Sequence, residues 1–235
     1  MPPQSVIDCL KAHKQTIESG HPQVVPITKY LPCYRVLLEK ADWWDPFERW
    51  LDKRETISRK DIENLSKLGE KQWPTLFVAT MIWGYGENDD SGPVKLFRAV
   101  TTDKAKDIIE HSARLVCDGK IRDGFVRIRD LQDIGASFGT KFLFACGLSK
   151  KDDITPNPLV LDRILANALK SLYGKDEADK RFDLGARDYS YSSRALERAG
   201  DGYMSYCTEM KELASQIHCD VYQLELFMFR EHKNL

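Results

Sequence analysis

Two residues separated by 21 positions, Lys141 and Asp162, are of types that could act together in catalysis. Lys141 follows Gly139 and Thr140 and is followed at once by the apolar run FLFA, residues 142–145. Apolar surroundings disfavour the charged form of a lysine, and a neutral amine is a nucleophile that forms Schiff bases. A carboxylate can stabilise positive charge that develops in a transition state. The pair therefore suggests covalent catalysis by an amine assisted by a carboxylate.

Each residue also has an ordinary structural interpretation. Asp162 follows Pro158 and an apolar Leu-Val-Leu run, so it falls at the predicted start of a helix, where aspartate is a favoured N-cap. The residue three positions later is Leu165, so the sequence does not predict a capping box. Lys141 fits equally a surface lysine whose stem packs along its apolar neighbours while its amine reaches water. Taken singly, each residue is explained by structure alone.

The elements that must position the pair are predominantly helical. Apolar residues recur at helical spacing in three segments, which predicts amphipathic helices. These segments are 101–116, 162–172 and 203–217. The apolar run 76–82 fits a buried strand or a buried helix, and its helical surroundings favour a helix. Glycines with Asn and Asp predict a loop over 82–93, and the alternating segment 125–130 has no evident strand partner. The sequence predicts an all-α, mainly helical fold of two packed helical lobes, which together form a single domain over 1–235.

Composition excludes several classes of protein. The formal charge is −1, from 35 basic and 36 acidic residues, so any nucleic-acid surface must be local. The six cysteines lack the close spacing of zinc or cluster sites, and we expect reduced thiols, no metal and no cofactor. Apolar runs are too short to cross a membrane, and the N-terminus carries prolines and charges where a signal peptide would be apolar. We therefore expect a cytoplasmic protein without a membrane partner.

The arrangement around Lys141 and Asp162 resembles the helix-hairpin-helix DNA glycosylases, in particular the 8-oxoguanine DNA glycosylase branch. A glycine-containing turn leads to Gly139-Thr140-Lys141, which we expect to open a helix, and Asp162 lies in VLDRILANAL, similar to the Val-Asp-x-x-Val pattern of that family. The likeness covers residues 125–172, the expected helix-hairpin-helix and catalytic segment. It implies that Lys141 attacks the sugar and that Asp162 stabilises the oxocarbenium-like transition state. Such an enzyme removes a base and can then nick the strand by β-elimination.

Three departures from the family pattern bear on specificity. The family hairpin usually reads Leu-x-Gly-Val-Gly, whereas this chain has IGASFG over 134–139, which is longer between the glycines and bulkier at Phe138. Ala145 stands four residues after the lysine, where 8-oxoguanine enzymes often place a cysteine against the flipped base. The four-cysteine iron–sulfur segment of some relatives does not occur. The resemblance therefore implies a glycosylase without fixing 8-oxoguanine as its substrate.

Double-stranded DNA is the partner that the resemblance implies, and local charge supports it. Between residues 119 and 151 seven basic residues stand against three acidic ones. Phosphate binding needs such a basic cluster, and the glycines of a helix N-terminus add backbone donors. A solvated charged face is the alternative interpretation. The predicted DNA-binding residues are Gly135, Gly139, Thr140, Arg127, Arg129 and Arg163.

A flipped base requires flat side chains against which it can stack. Trp83 and Tyr85, in the glycine-flanked WGYG, are the predicted pocket walls, with Phe229 near the C-terminus as a further pocket residue. For all three the alternative is packing in the core. An acidic group at Glu87, Asp89 and Asp90 could accept hydrogen bonds from a base edge, although such a run is more often a solvated loop.

The leading hypothesis is a DNA N-glycosylase that excises a modified base, such as hydroxymethylated or glucosylated cytosine of phage DNA, as bacterial antiviral defence. The phage substrate comes from likeness to bacterial glycosylases and not from the residues themselves. One alternative is an 8-oxoguanine repair glycosylase with abasic-site lyase activity. A second, of another class, is a non-catalytic helix-hairpin-helix DNA-binding module. A helical protein-interaction domain is a third, favoured only if DNA binding is undetectable.

Overall fold

The computed structural model describes residues 1–20, 23–39, 44–51, 54–86, 90–150, 153–183 and 193–235. In these ranges the regular structure consists of fourteen α-helices, two short 3-10 helices and one small two-stranded sheet, which confirms the all-α prediction. None of these helices is long and apolar enough to cross a membrane.

The helices and strands follow one another along the chain without a repeated pattern. In order they are α1 (Gln4–Ala12), α2 (Lys14–Glu18), β1 (Val24–Pro26), α3 (Leu31–Leu38), α4 (Trp44–Leu51), β2 (Thr56–Ser58), α5 (Arg59–Ser66), α6 (Trp73–Tyr85), α7 (Gly92–Val100), α8 (Ala105–Cys117), α9 (Ile121–Ile128), α10 (Ala136–Gly147), α11 (Arg163–Tyr173), α12 (Lys175–Phe182), α13 (Ser193–Ile217) and α14 (Val221–Glu231). Strands β1 and β2 pair antiparallel, with Val25 opposite Ile57.

Contacts between residues divide the chain into two compact units. The terminal unit consists of Met1–His21 and Thr155–Leu235, and the central unit is Pro22–Ile154. Lys141 belongs to the central unit and Asp162 to the terminal unit. The expectation of one domain over 1–235, with a catalytic segment over 125–172, stays a prediction.

Helix α6 forms the middle of the central unit. It packs against α5, α7, α8 and α10, and its side chains are buried around the whole circumference, as at Phe77, Val78 and Met81. A helix surrounded by other helices needs no polar face, which explains the unbroken apolar run. The preference for a helix over 76–82 is confirmed. The loop predicted over 82–93 is wrong in part, because α6 continues to Tyr85 and ends only at Gly86, whose φ of 56° leaves the helical region.

Helices α9 and α10 and the residues between them form the hairpin of the central unit. The alternating segment 125–130 lies mostly in α9, whose buried residues Ile121, Phe125 and Ile128 recur at helical spacing. Helix α8 packs on both α9 and α10, and it confirms the amphipathic helix predicted over 101–116, beginning four residues later than the pattern suggested.

Helix α13 is the long element of the terminal unit and packs against α1, α12 and α14. It buries Tyr203, Tyr206, Met210 and Leu213, so the apolar stripe predicted over 203–217 is confirmed. At Gly202 a Cβ atom would lie 2.6 Å from the carbonyl oxygen of Phe182, which is closer than real contacts allow. A glycine at this position therefore lets the end of α12 lie against the backbone of α13.

Candidate active site

Lys141 is the sixth residue of α10 and lies in its second turn. The prediction that Gly139-Thr140-Lys141 opens the helix is wrong, because α10 already begins at Ala136. Gly135 is the N-cap, with extended backbone (φ −78°, ψ 178°), and its carbonyl oxygen accepts a bond from the N–H of Gly139 at 2.8 Å. Gly139 instead serves close packing, since a Cβ atom there would lie 3.0 Å from Cγ2 of Ile128 in α9.

The amine of Lys141 is held by side chains one turn earlier on the same helix. Lys141 is only 8% exposed. Its Nζ donates a hydrogen bond to Oγ of Ser137 at 3.2 Å and lies 5.4 Å from the ring centroid of Phe138. An ammonium at that distance from an aromatic ring is attracted by the ring face. The lysine residue is therefore largely shielded from water, and Ser137 and Phe138 lie beside its amine on α10.

The two phenylalanines next to Lys141 in sequence have another role. Phe142 meets Phe77 of α6 edge to face, with ring centroids 5.2 Å apart, and Phe144 stacks on Trp83 at 6.3 Å. Both side chains are buried in the core. Sequence reasoning named these residues as the apolar environment of the amine and missed Ser137 and Phe138. Helical spacing was the signal for them, because residues three and four positions apart share a helix face.

The last turn of α6 completes the surroundings of the lysine. A Cβ atom at Gly84 would lie 2.9 Å from Cδ of Lys141 and 3.0 Å from Cε1 of Phe138, so the glycine leaves the space that both side chains fill. Tyr85 packs on Phe138 with ring centroids 4.1 Å apart. We refer to Gly84, Tyr85, Ser137, Phe138 and Lys141 as the lysine cluster. Of the predicted pocket residues, the structure thus brings Tyr85 into the neighbourhood of the candidate nucleophile.

Trp83 lies in the same turn of α6 but has the contacts of a core residue. It is 3% exposed, stacks on Phe144, and has the guanidinium of Arg59 5.8 Å from its ring. Its indole nitrogen finds no hydrogen-bond partner in the described part of the chain. Phe229, the third predicted pocket residue, lies half-buried in α14 of the terminal unit. A role for either residue in base binding stays a prediction.

Asp162 is the N-cap of α11, as its position in the sequence predicted. Its Oδ1 accepts hydrogen bonds from the N–H groups of Ile164 at 3.0 Å and Leu165 at 3.1 Å. These bonds satisfy two of the amides that a helix start leaves without a partner inside the helix. They also fix the orientation of the carboxylate, which is half-buried.

Two tyrosines of α13 anchor the backbone that leads to Asp162. The hydroxyl of Tyr203 donates to the carbonyl oxygen of Leu159 at 2.7 Å and accepts from the N–H of the same residue at 3.1 Å. The hydroxyl of Tyr206 donates to the carbonyl oxygen of Val160 at 2.8 Å. Burial raises the pKa of Tyr203 well above its ordinary value, so its hydroxyl keeps its proton. Sequence reasoning assigned Tyr206 to an apolar stripe and missed this anchoring, which depends on residues more than forty positions apart.

The hairpin before α10 presents backbone amides at a helix start. Gly135 has no side chain with which to cap the first turn of α10, in contrast to Asp162 at the start of α11. Asp133, in the turn, adopts a left-handed conformation (φ 62°) and forms an ion pair with Arg98 at 3.6 Å. Uncapped amides at a helix N-terminus favour anionic ligands such as phosphate.

The basic residues of the predicted DNA surface differ in their surroundings. Arg127 forms ion pairs with Asp107 at 2.8 Å and Asp130 at 2.7 Å, so its charge is balanced within the protein. Arg129 lies over the ring of Phe125, whereas Arg163 is exposed at the start of α11. Thr140 is fully buried, and its hydroxyl donates to the carbonyl oxygen of Ser137.

Other predicted features give no further site. Lys151 of the basic stretch and Glu87 and Asp89 of the acidic group lie outside the described residues, and Asp90 is close to Lys29 and Tyr30. Within the described ranges, no three His, Cys, Asp or Glu side chains are placed to hold a metal ion.

Comparison with known proteins gives one match. The model of a family described as "Putative 8-oxoguanine DNA glycosylase OGG-like protein" matches residues 33–229. This range covers most of the chain and contains Lys141, Asp162 and the hairpin. No curated protein and no solved structure matches the chain.

Proposed function

The chain belongs to the OGG-like family of DNA glycosylases, and we propose that it excises a modified base from double-stranded DNA with Lys141 as nucleophile and Asp162 as the assisting carboxylate. The observation that supports this assignment most is the burial of Lys141, which is 8% exposed and has its amine beside an aromatic ring. Lysines are almost never buried without a reason, and a desolvated amine suits nucleophilic attack.

The proposed reaction begins with cleavage of the bond between C1′ of the sugar and the base nitrogen. The base leaves with the bonding electrons and takes up a proton, and the positive charge that develops on the sugar is stabilised by the Asp162 carboxylate. The neutral amine of Lys141 forms a bond to C1′ and loses a proton. Opening of the sugar ring yields a Schiff base, from which β-elimination can expel the 3′ phosphate. Release of the base is the glycosylase activity, and β-elimination is the abasic-site lyase activity.

DNA binding is assigned to the hairpin and its basic neighbours. The uncapped start of α10 at Gly135 offers backbone donors to a phosphate, and Arg163 offers an exposed cation. Roles for Gly139, Thr140, Arg127 and Arg129 are less direct, because their described contacts are with the protein itself. We expect the affinity for duplex DNA to fall steeply as salt rises, since phosphate contacts release counterions.

The substrate that we propose is a modified base other than 8-oxoguanine, such as hydroxymethylated or glucosylated cytosine of phage DNA. The supporting observation is Ala145, a fully buried side chain at the position where 8-oxoguanine enzymes often carry a cysteine. An alanine there provides no thiol to contact an oxidised purine. Antiviral defence in the bacterial cytoplasm is the biological role consistent with this substrate.

Mass spectrometry of released bases tests the proposal. The wild type and an Asp162→Asn variant are incubated with unmodified DNA, DNA containing 8-oxoguanine, and phage DNA with modified cytosines. Release of a modified cytosine by the wild type alone is the expected result. Release of 8-oxoguanine alone would replace the phage substrate by oxidised guanine. Salt-sensitive DNA binding with no release from any DNA would instead establish a non-catalytic binding module.

A further inference from the structure

Ser137 lies outside the residues on which the proposed function rests, yet it holds the candidate nucleophile. Its Oγ accepts a hydrogen bond from Nζ of Lys141 at 3.2 Å, one helical turn away on α10. We propose that Ser137 is a positioning residue that fixes the Lys141 amine for attack, with Gly84 providing the space for the lysine stem. This inference rests on the proposed function, in which Lys141 is the nucleophile.

Positioning matters because a lysine side chain is long and flexible. Its four-carbon stem can place the amine over a wide region, whereas nucleophilic attack requires the reacting atoms to be held close to one geometry. The stem of Lys141 is confined between α10 and the last turn of α6, where Gly84 has no Cβ atom to obstruct it. A methyl group at that position would lie 2.9 Å from Cδ of Lys141, so the stem would have to move.

Ser137 and Phe138 interact with different protonation states of the amine. The ring of Phe138 attracts the amine only while it carries a positive charge. The hydroxyl of Ser137 can both accept and donate a hydrogen bond, so it can hold the ammonium and also the neutral amine. Attack on C1′ requires the neutral amine. Of these two side chains, Ser137 is therefore the one that can keep the nucleophile in place after the proton has left.

Duplex DNA with a single abasic site tests the inference without knowledge of the base. The amine condenses with the C1′ aldehyde, water leaves, and sodium borohydride reduces the resulting imine to a stable covalent bond between protein and DNA. The measured quantities are the single-turnover rate of trapping and, separately, the dissociation constant for the same duplex without borohydride. Lys141→Ala is expected to abolish trapping.

Ser137→Ala is expected to lower the trapping rate about tenfold while the dissociation constant stays unchanged. Ser137→Thr keeps a hydroxyl at the same position and should restore the rate to within about twofold of the wild type. Gly84→Ala should slow trapping in the same way, because it displaces the stem. Ser149→Ala is the matched control, since this serine lies just after the end of α10 and its hydroxyl donates to the carbonyl oxygen of Cys146, and its rate should equal the wild-type rate.

The possible outcomes separate the inference from the proposed function. If the wild type traps, Lys141→Ala does not, and Ser137→Ala traps at the wild-type rate, the positioning role is wrong and the nucleophile stands. If Ser137→Thr is as slow as Ser137→Ala, packing and not the hydroxyl is responsible, and the inference is again overturned. If the wild type itself is not trapped, Lys141 is not the nucleophile and both proposals fall.

Discussion

The starts of α10 and α11 share a backbone geometry but differ in what satisfies their amides. Both N-caps are extended, with φ −78° and ψ 178° at Gly135 and φ −111° and ψ −178° at Asp162. The carboxylate of Asp162 accepts hydrogen bonds from two first-turn amides of α11, whereas Gly135 has no side chain to do so at α10. One helix start therefore fixes the orientation of a carboxylate, whereas the other has backbone donors that we propose bind a phosphate.

A third helix start provides the reference for this comparison. Asp220 caps α14 through the N–H groups of Tyr222 at 2.8 Å and Gln223 at 3.1 Å, the same two-bond pattern as at Asp162. Capping alone therefore does not distinguish a catalytic aspartate from a structural one. Substitutions at the two positions can.

The largest expected effect is on base release. Asp162→Asn should lower the rate of release of the identified substrate base at least about 100-fold, because the amide carries no charge to stabilise the sugar cation. Asp220→Asn should leave the rate unchanged. Asparagine caps helices as well as aspartate, so both variants should keep wild-type thermal stability. Equal rates of base release for the two variants would mean that Asp162 acts only as an N-cap and not in catalysis.

A carboxylate introduced at the N-cap of α10 should give this helix the same kind of side-chain cap as α11. Gly135→Asp is expected to bind the first-turn amides itself and to repel phosphate, which lowers the affinity for duplex DNA about tenfold at low salt. The backbone at Gly135 is extended and accepts any residue. Fluorescence anisotropy measures the affinity, and Gly135→Asn separates occupation of the amides from charge repulsion. Unchanged affinity for Gly135→Asp would mean that phosphate binds elsewhere.

Removal of the two aspartate caps should have similar effects on stability. Asp162→Ala and Asp220→Ala are each expected to lower the free energy of unfolding by about 1 kcal/mol, because two amides at each helix start lose their acceptor. Urea unfolding followed by circular dichroism measures both. A much larger loss at Asp162 would show that its carboxylate has a structural role beyond the cap.

The smallest expected effect concerns the start of α5, where Ser58 and Asp61 form a capping box. Burial opposes ionisation of Asp61, but hydrogen bonds from Ser58 and Arg54 outweigh it and lower the pKa of Asp61 below its ordinary value. A carboxyl whose pKa is lower in the folded state stabilises the fold at neutral pH and loses that contribution as the pH falls through the folded value. Between pH 6 and about pH 3 the free energy of unfolding should therefore fall by about 0.5 kcal/mol more in the wild type than in Asp61→Asn. Urea unfolding at both pH values measures the difference, and an unaltered pH dependence would contradict it.

Local patterns were sufficient to predict part of this structure. Helix α8, the buried helix α6 and the N-cap at Asp162 follow from apolar periodicity and from the preference of aspartate for helix starts. The start of α10 was misplaced because the hairpin glycine, Gly135, and not Gly139, adopts the extended conformation.

Contacts between distant segments could not be predicted. The space at Gly84 depends on α6 and α10 approaching each other, and the anchoring of Leu159 depends on a tyrosine 44 positions later. Ser137 and Phe138 could have been found from helical spacing alone, once the helix start was placed correctly.

The most direct test of the account is to identify the residue that becomes attached to DNA. Borohydride-trapped complex on abasic DNA is digested with trypsin and the modified peptide is sequenced by mass spectrometry. Attachment is expected at Lys141, which blocks cleavage there and yields a peptide spanning residues 130–150. Attachment at another lysine or at the N-terminal amine would contradict the assignment of Lys141 as the nucleophile.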